Sequence, residues 1–79
     1  METWRAEYTD TFGGEANYAW VKRATFKTRA GASQREVMRA AKAALNLSGV
    51  PGRTESYGDA YTFRPYGICT VLFVNHCEG

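Results

Sequence analysis

The chain has one histidine and two cysteines among its 79 residues, and that scarcity excludes several chemistries. A structural zinc site wants four ligands, usually in paired spacings such as C-x-x-C. Apart from two methionines the soft ligands are Cys69, His76 and Cys77, and the last two are adjacent, so on a strand they point to opposite faces. There is no G-x-S-x-G, and Ser33, Ser48 and Ser56 stand in cap or turn contexts, which leaves no nucleophile with a base beside it. Neither an enzyme nor a metal, cofactor or small-molecule substrate is expected. If Cys69 and Cys77 share one extended strand, they lie roughly 26 Å apart at about 3.3 Å per residue, beyond the reach of a disulfide. They read as reduced thiols, Cys69 half-buried and Cys77 near a loose end, which fits a reducing compartment.

Also missing are an apolar run long enough to span a bilayer and a cationic leader followed by an apolar stretch. The expectation is a soluble protein of the cytoplasm without membrane contact. Charge of one sign is scarce too. Ten Lys and Arg against eight Asp and Glu give +2, which permits contact with nucleic acid but falls well short of a strongly basic balance. No internal repeat, low-complexity tract or linker interrupts the sequence. At this length residues 1–79 make a single domain that buries only about 60% of its unfolded surface.

What the sequence does contain is one convincing helix, Ser33 to Leu47, set among strands. Ser33 and Glu36 stand in the S-x-x-E spacing of a capping box. Val37, Ala40, Ala41, Ala44 and Leu45 recur at spacings of three and four with Met38 and Leu47 at the margins, giving a narrow apolar stripe that a sheet can approach closely. Gly49 suits the left-handed position after the helix, and Pro51 cannot continue it. Before the helix, Trp4, Ala6 and Tyr8 alternate with Arg5, Glu7 and Thr9 in a strand over Thr3–Thr11. A hairpin loop with paired glycines follows over Asp10–Asn17, then a strand from Tyr18 to Arg29. Lys22 falls on the apolar parity of that strand, so either its stem lies along the rim or a bulge shifts the register there. After the helix come a weak strand over Arg53–Tyr57, a turn over Tyr57–Ala60, a short strand over Tyr61–Arg64 and a turn at Pro65-Tyr66-Gly67. The run Ile68–Asn75 is nearly continuous in apolar and β-branched residues, which places it centrally. The fold class is α+β: an antiparallel sheet of four to five strands with one helix packed on one face, in the order ββα followed by two or three strands.

Two sets of residues could contact a partner. Arg35, Arg39 and Lys42 lie on one helical face, and Lys22, Arg23, Lys27 and Arg29 crowd the second strand and its exit; these would read phosphates, or simply form a solvated face. Acids gather differently, at Glu7, Asp10, Glu15, Glu55 and Asp59, with Phe12, Tyr57 and Tyr66 in turns where aromatic side chains commonly anchor an interface. Gly13-Gly14 is no phosphate loop, since neither G-x-G-x-x-G nor G-K-[ST] follows.

The stretch Asp10-Thr11-Phe12-Gly13-Gly14-Glu15-Ala16-Asn17-Tyr18-Ala19-Trp20-Val21, with Tyr66-Gly67-Ile68-Cys69-Thr70-Val71-Leu72-Phe73 near the end, resembles a family of small proteins from phages, prophages and mobile elements of proteobacteria. In that family a DTFGGEANY-x-WV segment precedes an alanine-rich helix and a GxCTVLF-like last strand, so the likeness covers nearly the whole chain. Members of this size look like anti-CRISPR proteins, similar to an inhibitor of a type I-C Cascade complex. The resemblance implies a phage protein working in the host bacterial cytoplasm, which binds a Cas component and occludes its DNA-binding surface without catalysis. It carries no residue-level functional motif and assigns no site. Under the inhibitor reading Glu7, Asp10, Phe12, Glu15, Glu55, Tyr57 and Asp59 would face the Cas partner. The alternative is a small nucleic-acid-binding or DNA-regulatory protein using Lys22, Arg23, Arg35, Arg39 and Lys42. A third reading is a homodimer paired through an open sheet edge. A monomer or weak homodimer is expected.

Overall fold

A computed structural model describes residues 1–58 and 60–77. Strands β1 (Glu2–Phe12) and β2 (Glu15–Thr28) precede helix α1 (Gln34–Ala44), and β3 (Gly52–Tyr57), β4 (Ala60–Pro65) and β5 (Thr70–Cys77) follow it. The five strands form one sheet in the order β2-β1-β5-β4-β3, antiparallel throughout. The fold is thus α+β. The near-continuous apolar strand β5 is central, with Thr70, Val71, Leu72 and Val74 all buried. Pro65 closes β4 opposite Gly52, at a strand end where its missing amide costs no ladder bond.

Alternation along β1 decides what is covered. Trp4, Ala6 and Tyr8 are buried, and their partners on β5, His76, Val74 and Leu72, share their parity. Leu72 in turn faces Phe63 of β4. Trp4, Ala6, Tyr8, Phe63, Leu72 and Val74 belong to one core cluster with Val37, Met38 and Ala41 of α1 and with Leu47. Two buried polar groups are satisfied within it: Trp4 Nε1 donates to Thr28 Oγ1 at 3.0 Å, and Tyr8 Oη donates to Thr70 Oγ1 at 2.9 Å. Such bonds remove the desolvation penalty that indole and phenol groups would otherwise carry in a core. Among the described residues no helix is long and apolar enough to cross a membrane.

The helix is shorter than its sequence pattern. Ser33 is the N-cap, and its Oγ accepts from the Glu36 amide at 3.3 Å, as the capping spacing predicts. The Glu36 carboxylate turns mainly to Arg29, whose Nε donates to it at 2.8 Å. The helix stops at Ala44 because Leu45 already serves as C-cap and Asn46 takes the left-handed conformation at φ 63°. Asparagine tolerates that region better than most residues, so the reversal comes before Gly49, which serves the following turn instead.

Two boundaries near the β1–β2 hairpin differ from expectation, and the register at Lys22 takes one of the two forms expected. The loop is only the pair Gly13-Gly14, at φ 64° and 85°, with Phe12 opposite Glu15; two positive-φ residues make the tight turn whose twist matches the flanking strands. Lys22 stays in register opposite Tyr8, and the shift falls instead between Thr9 and Thr11. There β2 carries extra residues around Tyr18, itself at φ 56°. Finally, Ile68 and Cys69 lie before β5 and are exposed, because the ladder with β1 begins only at Asp10↔Thr70. Cys69 is therefore not half-buried. Cys77 ends β5 opposite Thr3 and is a paired strand residue, not a frayed one. Both thiols are free.

Candidate interaction surfaces

The segment Asp10–Val21 is built around one carboxylate. Asp10 accepts from Asn17 Nδ2 at 2.8 Å and from the Ala19 amide at 2.9 Å, while Thr9 Oγ1 donates to the Trp20 carbonyl at 2.8 Å. These bonds hold the bulge. They also keep the Asp10 carboxyl below its ordinary range, chiefly through the Asn17 side chain, with the Ala19 amide and the Thr9 hydroxyl adding to it. Across the sheet Arg64 donates to the Gly14 carbonyl at 3.2 Å, and the Thr11 amide donates to the Cys69 carbonyl at 2.9 Å. Thr9 and Val71, opposite each other on β1 and β5, are both fully buried although neither belongs to the core cluster.

The same end of the sheet carries several exposed apolar side chains. Phe12 is 80% exposed, Tyr66 66%, Tyr18 53%, Ile68 51% and Trp20 41%. All five belong to the hairpin or to the β4–β5 turn, which the Thr11–Cys69 and Arg64–Gly14 bonds tie to each other. Phe12 is exposed as the last, paired residue of β1, whereas Tyr66 stands exposed in a turn as the sequence suggests. Tyr18, Trp20 and Ile68 were hidden from it, since their parity and company read as core; the positive φ at Tyr18 and the late start of β5 turn them outward. Trp20 keeps one edge contact with the ring of Tyr8, centroids 5.4 Å apart. Five exposed large apolar side chains at one end of a small sheet make that end a candidate interaction surface.

The acids expected to face a partner are dispersed. Glu7 pairs with Arg23 at 2.8 Å. Glu55 accepts from the Tyr57 hydroxyl at 2.6 Å, which raises the Tyr57 pKa, and it lies 3.9 Å from Arg53. Glu7 and Glu55 share a row, Glu7↔Phe73↔Thr62↔Glu55, but three strand spacings of about 4.8 Å separate them. Asp10 is engaged within the bulge. Glu15 is exposed at the hairpin tip and makes no ion pair among the described residues. Asp59 lies outside the described residues.

The basic set divides differently. Lys22 and Arg23 are neighbours on β2 and point to opposite faces. Arg35, Arg39 and Lys42 come together as lining residues of a groove of about 840 Å³ between α1, the segment 48–52 and the β3–β4 hairpin. Lys42 is partly a structural residue: its Nζ donates to the Val50 carbonyl at 2.9 Å and sits 4.5 Å from the centre of the Phe63 ring. Among the described residues no three His, Cys, Asp or Glu side chains gather to hold a metal. No protein-family model, curated protein or solved structure matches the chain.

Proposed function

We propose that this chain is a non-catalytic, protein-binding inhibitor, of phage origin and active in the bacterial cytoplasm, that seats on a Cas subunit of a type I Cascade complex and covers its target-DNA surface. The kind of partner rests on the resemblance carried by Asp10–Val21 and Tyr66–Phe73. The observation that carries the binding mode is the exposed group Phe12, Tyr18, Trp20, Tyr66 and Ile68 at one end of the sheet. In this arrangement α1 lies across one face of the sheet, and of the five only Tyr66 also borders the groove beside it. Aromatic anchors then supply most of the affinity, and Glu15 beside them supplies the attraction to a basic DNA channel. Glu7, Asp10 and Glu55, held by neighbours in the chain itself, have the smaller part in it.

The test is direct binding to a purified type I-C Cascade complex without DNA, followed by competition with target duplex. The native chain should bind, compete with duplex and show little affinity of its own for it. Phe12→Ala with Tyr66→Ala should weaken the complex by more than about tenfold, since each anchor is worth at least ~1–2 kcal/mol. Glu15→Lys should slow association, most visibly at low salt. A chain that fails to bind the complex, or binds it equally well after both truncations, would remove this reading.

A further inference from the structure

Apart from Tyr66, which the inhibitor reading also places at its interface, the groove beside α1 has a composition that reading does not use. Three of its lining residues are cationic and none is acidic. Arg35 and Arg39 are exposed and make no ion pair among the described residues. They stand one helical turn apart, about 6 Å along the axis at 1.5 Å per residue, so both guanidinium forks can meet neighbouring phosphates of one ligand. The floor is apolar, formed by Phe63 and Met38, at 2% and 6% exposure. At the rim Tyr66 presents a largely exposed ring, and its amide is anchored by the Pro51 carbonyl at 3.0 Å. The wall opposite the helix is held in place by the Lys42–Val50 hydrogen bond, so the groove is formed in the absence of any ligand.

We propose that this groove binds nucleotides, with Arg35 and Arg39 on the phosphates and the Tyr66 ring stacked on a base. The combination is what selects the ligand class. Arginine forks match phosphate geometry, and a base adds affinity on an aromatic ring whatever its identity. A concave site with a single stacking ring fits an unpaired strand, whose bases are free, and not a duplex, whose bases are stacked on one another. A free nucleotide presents the same phosphate and base. The proposal does not depend on the Cascade reading.

Fluorescence anisotropy of a labelled ten-nucleotide single strand, at 50 mM salt and again at 200 mM, tests it with the intact chain. Binding should occur at 50 mM and weaken at 200 mM, as counterion release requires. Arg35→Glu with Arg39→Glu should weaken it at least tenfold, and Tyr66→Leu about fivefold or more, within the range found for base–aromatic stacks. Arg23→Glu, on β2 and outside the groove, should change it less than twofold. Competition with adenosine monophosphate distinguishes the two sources of ligand: displacement at micromolar levels assigns the groove to free nucleotides, and displacement only by unlabelled strand assigns it to single-stranded nucleic acid. The proposal is overturned if the strand fails to bind at 50 mM salt. It is also overturned if Arg23→Glu weakens binding as much as the groove reversals do, if Tyr66→Leu has no effect, or if duplex or anionic lipid vesicles bind the same residues more tightly. An unchanged thermal midpoint in each variant confirms that the fold is intact.

Discussion

At the scale of single residues the most informative side chain is Asp10. It accepts from Asn17 and from the Ala19 amide, and these two bonds, with Gly13 and Gly14 making the turn and Thr9 bonded to Trp20, show that much of Asp10–Val21 maintains a local fold. A carboxyl whose pKa is lowered in the folded chain contributes stability that is present above its unfolded value and lost as pH falls through its folded value. Asp10 is shifted down from 3.8, mainly by Asn17, and Glu36 down from 4.5, mainly by Arg29. The thermal midpoint should therefore hold above about pH 5 and fall progressively below pH 4. Asp10→Asn together with Glu36→Gln should flatten that decline, and unfolding followed at intervals from pH 3 to 7 measures it. An equally steep decline in the double variant would place the acid sensitivity elsewhere.

At the scale of elements, burial ranks the contacts. Leu72 of β5 is fully buried between β1 and β4, and Leu72→Ala should cost about 2–5 kcal/mol. Leu45, at the end of α1, has the periodicity of a core residue but is only half-buried, so Leu45→Ala should cost clearly less. Denaturant titration of the two variants decides the order. The β3–β4 hairpin depends on a different constraint. A Cβ at Gly52 would stand 2.6 Å from the Arg64 carbonyl oxygen and 2.6 Å from the Phe63 ring, and backbone cannot withdraw as a flexible side chain can. Gly52→Ala should lower stability by roughly 1–3 kcal/mol through overpacking, read as a shift in denaturant midpoint at unchanged slope. A neutral result would mean that β3 moves freely away from Phe63.

At the scale of the whole molecule a chain this small has a stability of roughly 4–12 kcal/mol at 0.05–0.15 kcal/mol per residue, so one deep core truncation removes a large share of it. Both cysteines are free and the described residues gather no metal cluster. The core cluster joins Trp4, Phe63, Leu72 and Val74 to Val37 and Met38. Adding reductant and chelator together should leave the thermal midpoint within about 5 °C, the shift that about 1 kcal/mol produces at this size. A larger drop would show that Cys69, His76 or Cys77 holds the fold through a bond or an ion. Heating the chain with and without the two reagents in one buffer is sufficient.

The sequence by itself determined the features that local pattern encodes. Alternation set the buried parity of β1, Ser33 and Glu36 set the start of α1, the glycine pair set the hairpin, and the run of β-branched and apolar residues set β5 at the centre of the sheet. Each depends on residues within a few positions of one another, where backbone preference and period act directly. The tertiary structure decided which side chains reach solvent. Tyr18 and Trp20 share the parity of Phe26 but face outward, because a bulge held by Asp10 rotates their strand and Arg64, fifty positions along the chain, ties down the hairpin tip. The groove beside α1 was half legible: helical period placed Arg35, Arg39 and Lys42 on one face. Only the return of residues 48–52 and the packing of Phe63 gave that face a wall and a floor, because contacts between distant segments are set by the total burial of the fold and not by local sequence.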